Sequence, residues 1–174
     1  MELQEMVKAK ELEYTQYIDN HRNNVQKAWD ELKNNDRVID YIVKNADTKP
    51  SNFLSLLDAY IAAHDKSKYG KEEFDAYRKW FYPVSEEEKQ SAKEEFDLAW
   101  KHHYKRNMHH WDWWHESNLP QVMPFNFVVE MICDWMAMGY QFNNTAKSWY
   151  YENKNEIHLG ERQTKWVEDI LEMI

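Results

Sequence analysis

The chain has 174 residues, a formal net charge of −9, and only three glycines and four prolines. That length is read as one domain over 1–174 with room for a core, and the scarcity of turn residues excludes a β-sandwich in favour of an all-α fold. The acidic balance argues against duplex nucleic acid as a partner, and no apolar run approaches the ~20 residues that span a bilayer, so no membrane role is expected.

The N-terminal segment reads as one long helix to about Asn34. Tyr14, Ile18, His21, Val25, Trp29 and Leu32 recur every three or four residues along it. His21 therefore points toward the core, as a hydrogen-bonded residue or as a ligand. A short helix is expected over 37–45. Lys49-Pro50-Ser51 marks a break, with Ser51 as the N-cap of the next helix. That helix carries Leu57, Tyr60 or Ile61, and His64 on one face. Gly70 interrupts, and helix resumes over 71–81 until Pro83. Ser85-Glu86-Glu87-Glu88 has capping-box spacing. Its helix is expected to reach at least His103 and at most His110. Pro120 and Pro124 bracket a turn. A buried helix follows over 125–138, closed by Gly139, and two more over 145–153 and 161–173. Cys133, the single cysteine, precludes an internal disulfide. With no signal peptide legible in Met1-Glu2-Leu3-Gln4-Glu5, it points to a reducing cytoplasm.

His64-Asp65 carries the most chemical information. A histidine and an aspartate at the end of an apolar run (Phe53 to Ala63) are poor core material. Together they offer the nitrogen and oxygen donors that suit a divalent transition metal. Six of the eight histidines lie between positions 64 and 115. In Trp100-Lys101-His102-His103-Tyr104-Lys105-Arg106-Asn107-Met108-His109-His110, two His-His pairs recur seven residues apart. Either one helix presents His103 with His110 and His102 with His109, or the helix breaks between the pairs. Glu130 and Asp134 stand four apart on the apolar helix. A carboxylate in that setting is ion-paired or metal-bound. Asp134 is read as a ligand, and Glu130 as a ligand, an acceptor for a histidine N–H, or a base.

The order His21, His64-Asp65, further histidines, Asp134 resembles the HD-domain metal-dependent phosphohydrolase superfamily, an all-α fold. Its pattern is a histidine, a His-Asp doublet and a distal aspartate. Extra histidines between doublet and aspartate, here His103, His109 and His110, resemble the subset that holds two or more metals. His64-Asp65-Lys66-Ser67-Lys68 resembles the His-Asp-x-x-Lys form, whose lysine contacts substrate phosphate or oxygen. The stretches Glu73-Phe74-Asp75-Ala76-Tyr77, Phe81-Tyr82-Pro83 and Met123-Pro124 look like a small HD-like family of bacteria and their phages. Trp111-Asp112-Trp113-Trp114 stands where a Gly-Tyr-Pro motif would follow, which departs from the cyclic-dinucleotide enzymes.

The resemblance implies an HD-like helical bundle that hydrolyses a phosphate ester of a nucleotide or similar small molecule. One or two ions of Mn, Fe, Co, Ni or Zn would be held by His21, His64, Asp65 and Asp134, with His103, His109 and His110 for a second. Asp65, Lys68 and Glu130 would be the catalytic residues. The same ligands would serve a mixed-valence diiron oxygenase on that fold. A third reading is a non-catalytic metal-containing sensor or interaction protein.

Overall fold

In the computed structural model, residues 3–174 are described; Met1 and Glu2, where the first helix and the leader reading begin, lie outside them. Among the described residues there are ten α-helices and no strand, so the fold is all-α. They are α1 (Leu3–Lys33), α2 (Asp36–Asn45), α3 (Pro50–Ala63), α4 (Phe74–Phe81), α5 (Glu86–Ser91), α6 (Lys93–Arg106), α7 (Trp111–Glu116), α8 (Phe125–Phe142), α9 (Ala146–Asn153) and α10 (Glu161–Leu171). Short 3₁₀ turns cover Lys66–Tyr69 and Pro120–Val122. No helix is long and apolar enough to cross a membrane.

The chain forms two compact units that alternate along the sequence. Unit 1 comprises residues 1–20 and 65–107, and unit 2 comprises 21–64 and 108–174. In unit 1, α4 packs against α5 and α6. The core there is aromatic: Tyr14, Ile18, Tyr77 and Ala99 are buried, with Phe74, Tyr82, Phe96 and Trp100 against them. Tyr14 meets Phe74 at 5.1 Å between ring centres and Tyr77 meets Phe96 edge-on at 5.3 Å, separations that favour aromatic pairs. Arg78 is buried here, its guanidinium forked onto Glu88 at 2.7 and 2.9 Å.

In unit 2, α8 is the central element. Twelve of its 18 residues are buried, and α3, α9 and α10 pack on it. Val25, Trp29 and Leu32 supply one stripe of that core and Leu57 and Ile61 another, as their helical spacing predicts. Trp29 is fully buried and still satisfied, because its indole N–H donates to Asp58 at 2.6 Å.

Several boundaries differ from the sequence reading. Pro50 occupies the first turn of α3 and Lys49 the cap position, so Ser51 lies inside the helix; proline tolerates that turn because its missing N–H would be unpaired anyway. Residues 71–73 form a turn, and α4 starts only at Phe74. The helix opened by Ser85 stops at Ser91, and α6 begins at Lys93. Ser85 does accept from the Glu88 N–H at 3.2 Å. Glu88 answers the Val84 N–H instead of returning the capping-box bond, because Arg78 holds its carboxylate. Gly139 does not close α8, which continues to Phe142 and ends on Asn143 in the left-handed region (φ 54°).

Gly139 is required by a close approach. A Cβ there would stand 2.6 Å from the backbone oxygen of Asn144. Backbone at a helix end cannot retreat as a flexible side chain can. Gly139→Ala is expected to cost about 1–3 kcal/mol of unfolding free energy, read by urea denaturation.

Candidate metal centre

His21 comes from α1, one turn beyond Ile18 and one before Val25 on its buried face. His64 is the C-cap of α3, where the chain leaves the helix at φ −46°, ψ 129°. Arg22 fixes that exit: its Nε donates to the His64 carbonyl and its Nη2 to the Ala62 carbonyl, each at 2.9 Å. A guanidinium on the last carbonyls of a helix satisfies unpaired acceptors and faces the negative end of the helix dipole. His109 lies beyond the end of α6, in the turn before α7. The Trp114 indole pins that turn by donating to the Met108 carbonyl at 2.8 Å. The helix thus breaks between the two His-His pairs, and the seven-residue spacing is not helical. Glu130 and Asp134 are one turn apart on α8.

These five side chains converge in unit 2. His21 Nε2 is 3.3 Å from His64 Nε2 and 3.1 Å from Asp134 Oδ1. His64 Nε2 is 3.9 Å from that oxygen, and His109 Nε2 is 3.7 Å from Asp134 Oδ2. His64, His109 and Asp134 form a group whose donor atoms could hold one ion. Ligand atoms around a tetrahedral metal at 2.0–2.1 Å are separated by roughly 3.3 Å. The shorter pairs here match that spacing, and the longer ones exceed it by about half an ångström.

Glu130 explains the ring orientations. His64 Nδ1–H donates to Glu130 Oε1 at 3.0 Å, and His109 Nδ1 lies 3.2 Å from the same oxygen. With Nδ1 engaged by a carboxylate, the imidazole presents the Nε2 lone pair to the common point. Burial alone would raise the Glu130 pKa. The nearby His109 and His64 more than offset it and bring it to about 2, against an ordinary 4.5. Burial also opposes ionisation of Asp134, yet the His21 hydrogen bond and the charges of His21, His64 and His109 hold it well below the usual carboxylate range. Three imidazoles and one carboxylate, two of the rings oriented by a second carboxylate, fit a borderline divalent metal. Asp134 is 15% exposed while His21, His64 and His109 are almost fully buried.

A family model of the family of unknown function DUF5662 matches residues 10–173. The chain belongs to DUF5662. No curated protein and no solved structure matches it.

The remaining candidates of this DUF5662 member are Asp65, Lys68, His103 and His110. Asp65, Lys68 and His103 belong to unit 1. Asp65 adopts the left-handed region (φ 54°), which aspartate tolerates better than most residues. Its Oδ2 pairs with Lys68 Nζ at 2.7 Å and its Oδ1 lies 3.3 Å from His103 Nε2. His110 caps the start of α7, half-buried, with its ring 4.2 Å from that of His109. His109 itself groups with His64 and Asp134.

Glu73 was not singled out by the sequence. It is fully buried and accepts from His102 Nδ1 at 2.7 Å, His103 Nδ1 at 2.8 Å and the Ser67 hydroxyl at 2.9 Å. Burial raises its pKa, and those three partners outweigh burial and lower it, for a net depression. His102 keeps an exposed edge in this arrangement, while His103 is buried.

Two outcomes follow for unit 2. Glu130→Gln is expected to weaken metal binding about 10–100-fold, measured by competition with a chelating dye, because two rings lose the carboxylate that orients them. The metal-free chain is expected to lose stability on acidification. A carboxylate depressed from 4.5 to about 2 stabilises the fold above the higher value, and that contribution disappears as pH falls through the lower one. Acid titration followed by circular dichroism should show a limb between about pH 4.5 and 2 that Glu130→Gln flattens.

Proposed function

We propose that this chain is a metal-dependent phosphohydrolase acting on a phosphate ester of a nucleotide or similar small molecule. The observation that carries the reading is the unit 2 centre. Donor atoms of His21, His64, His109 and Asp134 converge, and Glu130 orients two of the rings through Nδ1. Three imidazole nitrogens and a carboxylate oxygen brought into one buried space are the donor set that a divalent cation would complete. The order of these residues, and its resemblance to the HD-domain superfamily, supports the same chemistry.

A bound divalent ion would lower the pKa of a water toward 7 and neutralise phosphate oxygens. The chain's own residues prepare for this. Glu130 keeps two imidazoles in one tautomer and stays ionised. The exposed edge of Asp134 leaves a side from which water and substrate enter. Lys68 carries the phosphate-binding role that His64-Asp65-Lys66-Ser67-Lys68 implies, and its pairing with Asp65 holds its ammonium in place. Asp65 is assigned to catalysis with it.

Elemental mass spectrometry on chelator-free protein is expected to find at least one equivalent of Mn, Fe, Co, Ni or Zn, lost in Asp134→Ala. Asp65→Ala is expected to lose metal-dependent hydrolysis of a chromogenic phosphate monoester while keeping its helical circular dichroism. Wild-type protein without metal even after reloading would overturn the reading, as would full activity in Asp65→Ala. Iron together with oxygen uptake would replace it by the diiron oxygenase.

A further inference from the structure

A recess of about 220 Å³ opens in unit 2 where α9 packs on α8, lined by Trp135, Met138, Gly139, Phe142, Asn144 and Trp149. Its walls are mostly apolar. The Trp135 and Trp149 rings stand 5.2 Å apart and are tilted by 48°. Trp135 is held in place by Tyr150, stacked on it at 5.8 Å. Trp149 and Phe142 are 37% and 64% exposed, so two aromatic rings here have water as a neighbour. At the rim, the Asn144 side-chain oxygen accepts from the Thr145 N–H at 2.7 Å. That bond orients the amide and leaves its NH2 group to donate.

Size and chemistry select the occupant. Sites that enclose a whole small molecule run to about 300–1,000 Å³, so this recess takes a single ring system. Aromatic walls favour a planar ring that stacks on them. An amide donor at the rim suits a ring nitrogen or a ring carbonyl.

Position ties the recess to the candidate centre. Between Glu130 and Gly139, only Asp134 and Met138 are not buried. With Phe142 they follow one another every four residues on α8, so the three side chains stand on one ridge. Along the helix axis Met138 is about 6 Å and Phe142 about 12 Å from Asp134. The accessible strip of α8 therefore runs from a ligand of the centre to the mouth of the recess.

We propose that this recess is a subsite for the base of a nucleotide whose phosphate lies toward Asp134. The choice of a nucleobase rests on the phosphohydrolase reading above. Trp149 and Phe142 stack on the ring, Asn144 donates to its edge, and Met138 lines the step between base and centre.

The test is calorimetric titration of adenosine, guanosine, cytidine and uridine, then of ribose 5-phosphate, into the full chain. Wild type is compared with Trp149→Ala and Phe142→Ala, two exposed positions whose change leaves the α8 core intact. Wild type is expected to bind at least one nucleoside. Each variant is expected to bind it about tenfold more weakly or worse, with metal content and helical circular dichroism unchanged. Ribose 5-phosphate, which lacks the base, is expected to bind all three proteins alike. A wild type that binds no nucleoside would overturn the subsite, as would equal nucleoside affinity in all three. Variants that alter only the sedimentation of the chain would give the recess to contact between copies and overturn it too.

The subsite and the hydrolase reading fail separately. Nucleoside binding lost in the variants of a chain that hydrolyses no ester would keep the subsite and remove the enzyme. An active chain whose KM for a nucleoside monophosphate equals that for ribose 5-phosphate, unchanged in the variants, would remove the subsite and leave the enzyme.

Discussion

A carboxylate buried in an apolar helix must be met by hydrogen-bond donors or cations, and Glu130 makes that requirement the organising constraint of unit 2. α8 is apolar on nearly every face, and Glu130 lies on it with about 4% of its surface exposed. It can stay ionised there only because His64 and His109 bring their Nδ1 atoms to it. Those contacts in turn require α3 to end at His64 and the 107–110 turn to place His109 inward. Arg22 secures the first and Trp114 the second. Helix ends that would otherwise be free to fray are thereby tied to the chemistry of one side chain.

Unit 1 repeats the device with different elements. Glu73 is a second buried glutamate whose two oxygens engage the Nδ1 atoms of His102 and His103. In both units a carboxylate sets ring orientation by occupying one imidazole nitrogen and leaving the other to face outward from it. The partners differ in exposure. His103 is buried like His64 and His109, whereas His102 retains an open edge. A single glutamate here serves one interior ring and one ring in touch with solvent.

Much of this was legible in the sequence, for physical reasons that apply residue by residue. The stripe from Tyr14 to Leu32 follows the helical period, so burial of His21 could be read directly. Asp134 and Glu130 stood out because acids rarely sit in so apolar a run. Glu73 gave no such contrast: it lies in the charged stretch Lys71-Glu72-Glu73, where an acid normally faces water. Arg22 likewise looks like surface, and its role depends on carbonyls 40 and 42 residues away. The break at Ala92 carries no glycine or proline. Its dihedrals (φ −84°, ψ −4°) stay in the helical region, so composition could not announce it. The end of α6 at Asn107 was the harder loss, because it decides which histidines can meet. Asn107 holds that end by bonding its side chain to the His103 carbonyl and the Ser67 hydroxyl, a local competition with the helix that no periodicity reveals.

The alternation of the two units along the chain has a consequence for the order in which they can form. Unit 1 has all of its residues once Asn107 has left the ribosome. The segment 21–64 has by then emerged with the apolar faces of α1, α2 and α3, yet its packing partner α8 is still unsynthesised. Those faces must wait through the translation of at least 35 further residues, from Met108 to Phe142. His21 and His64 wait with them, so two imidazoles of the candidate set are displayed before the carboxylate that completes it exists.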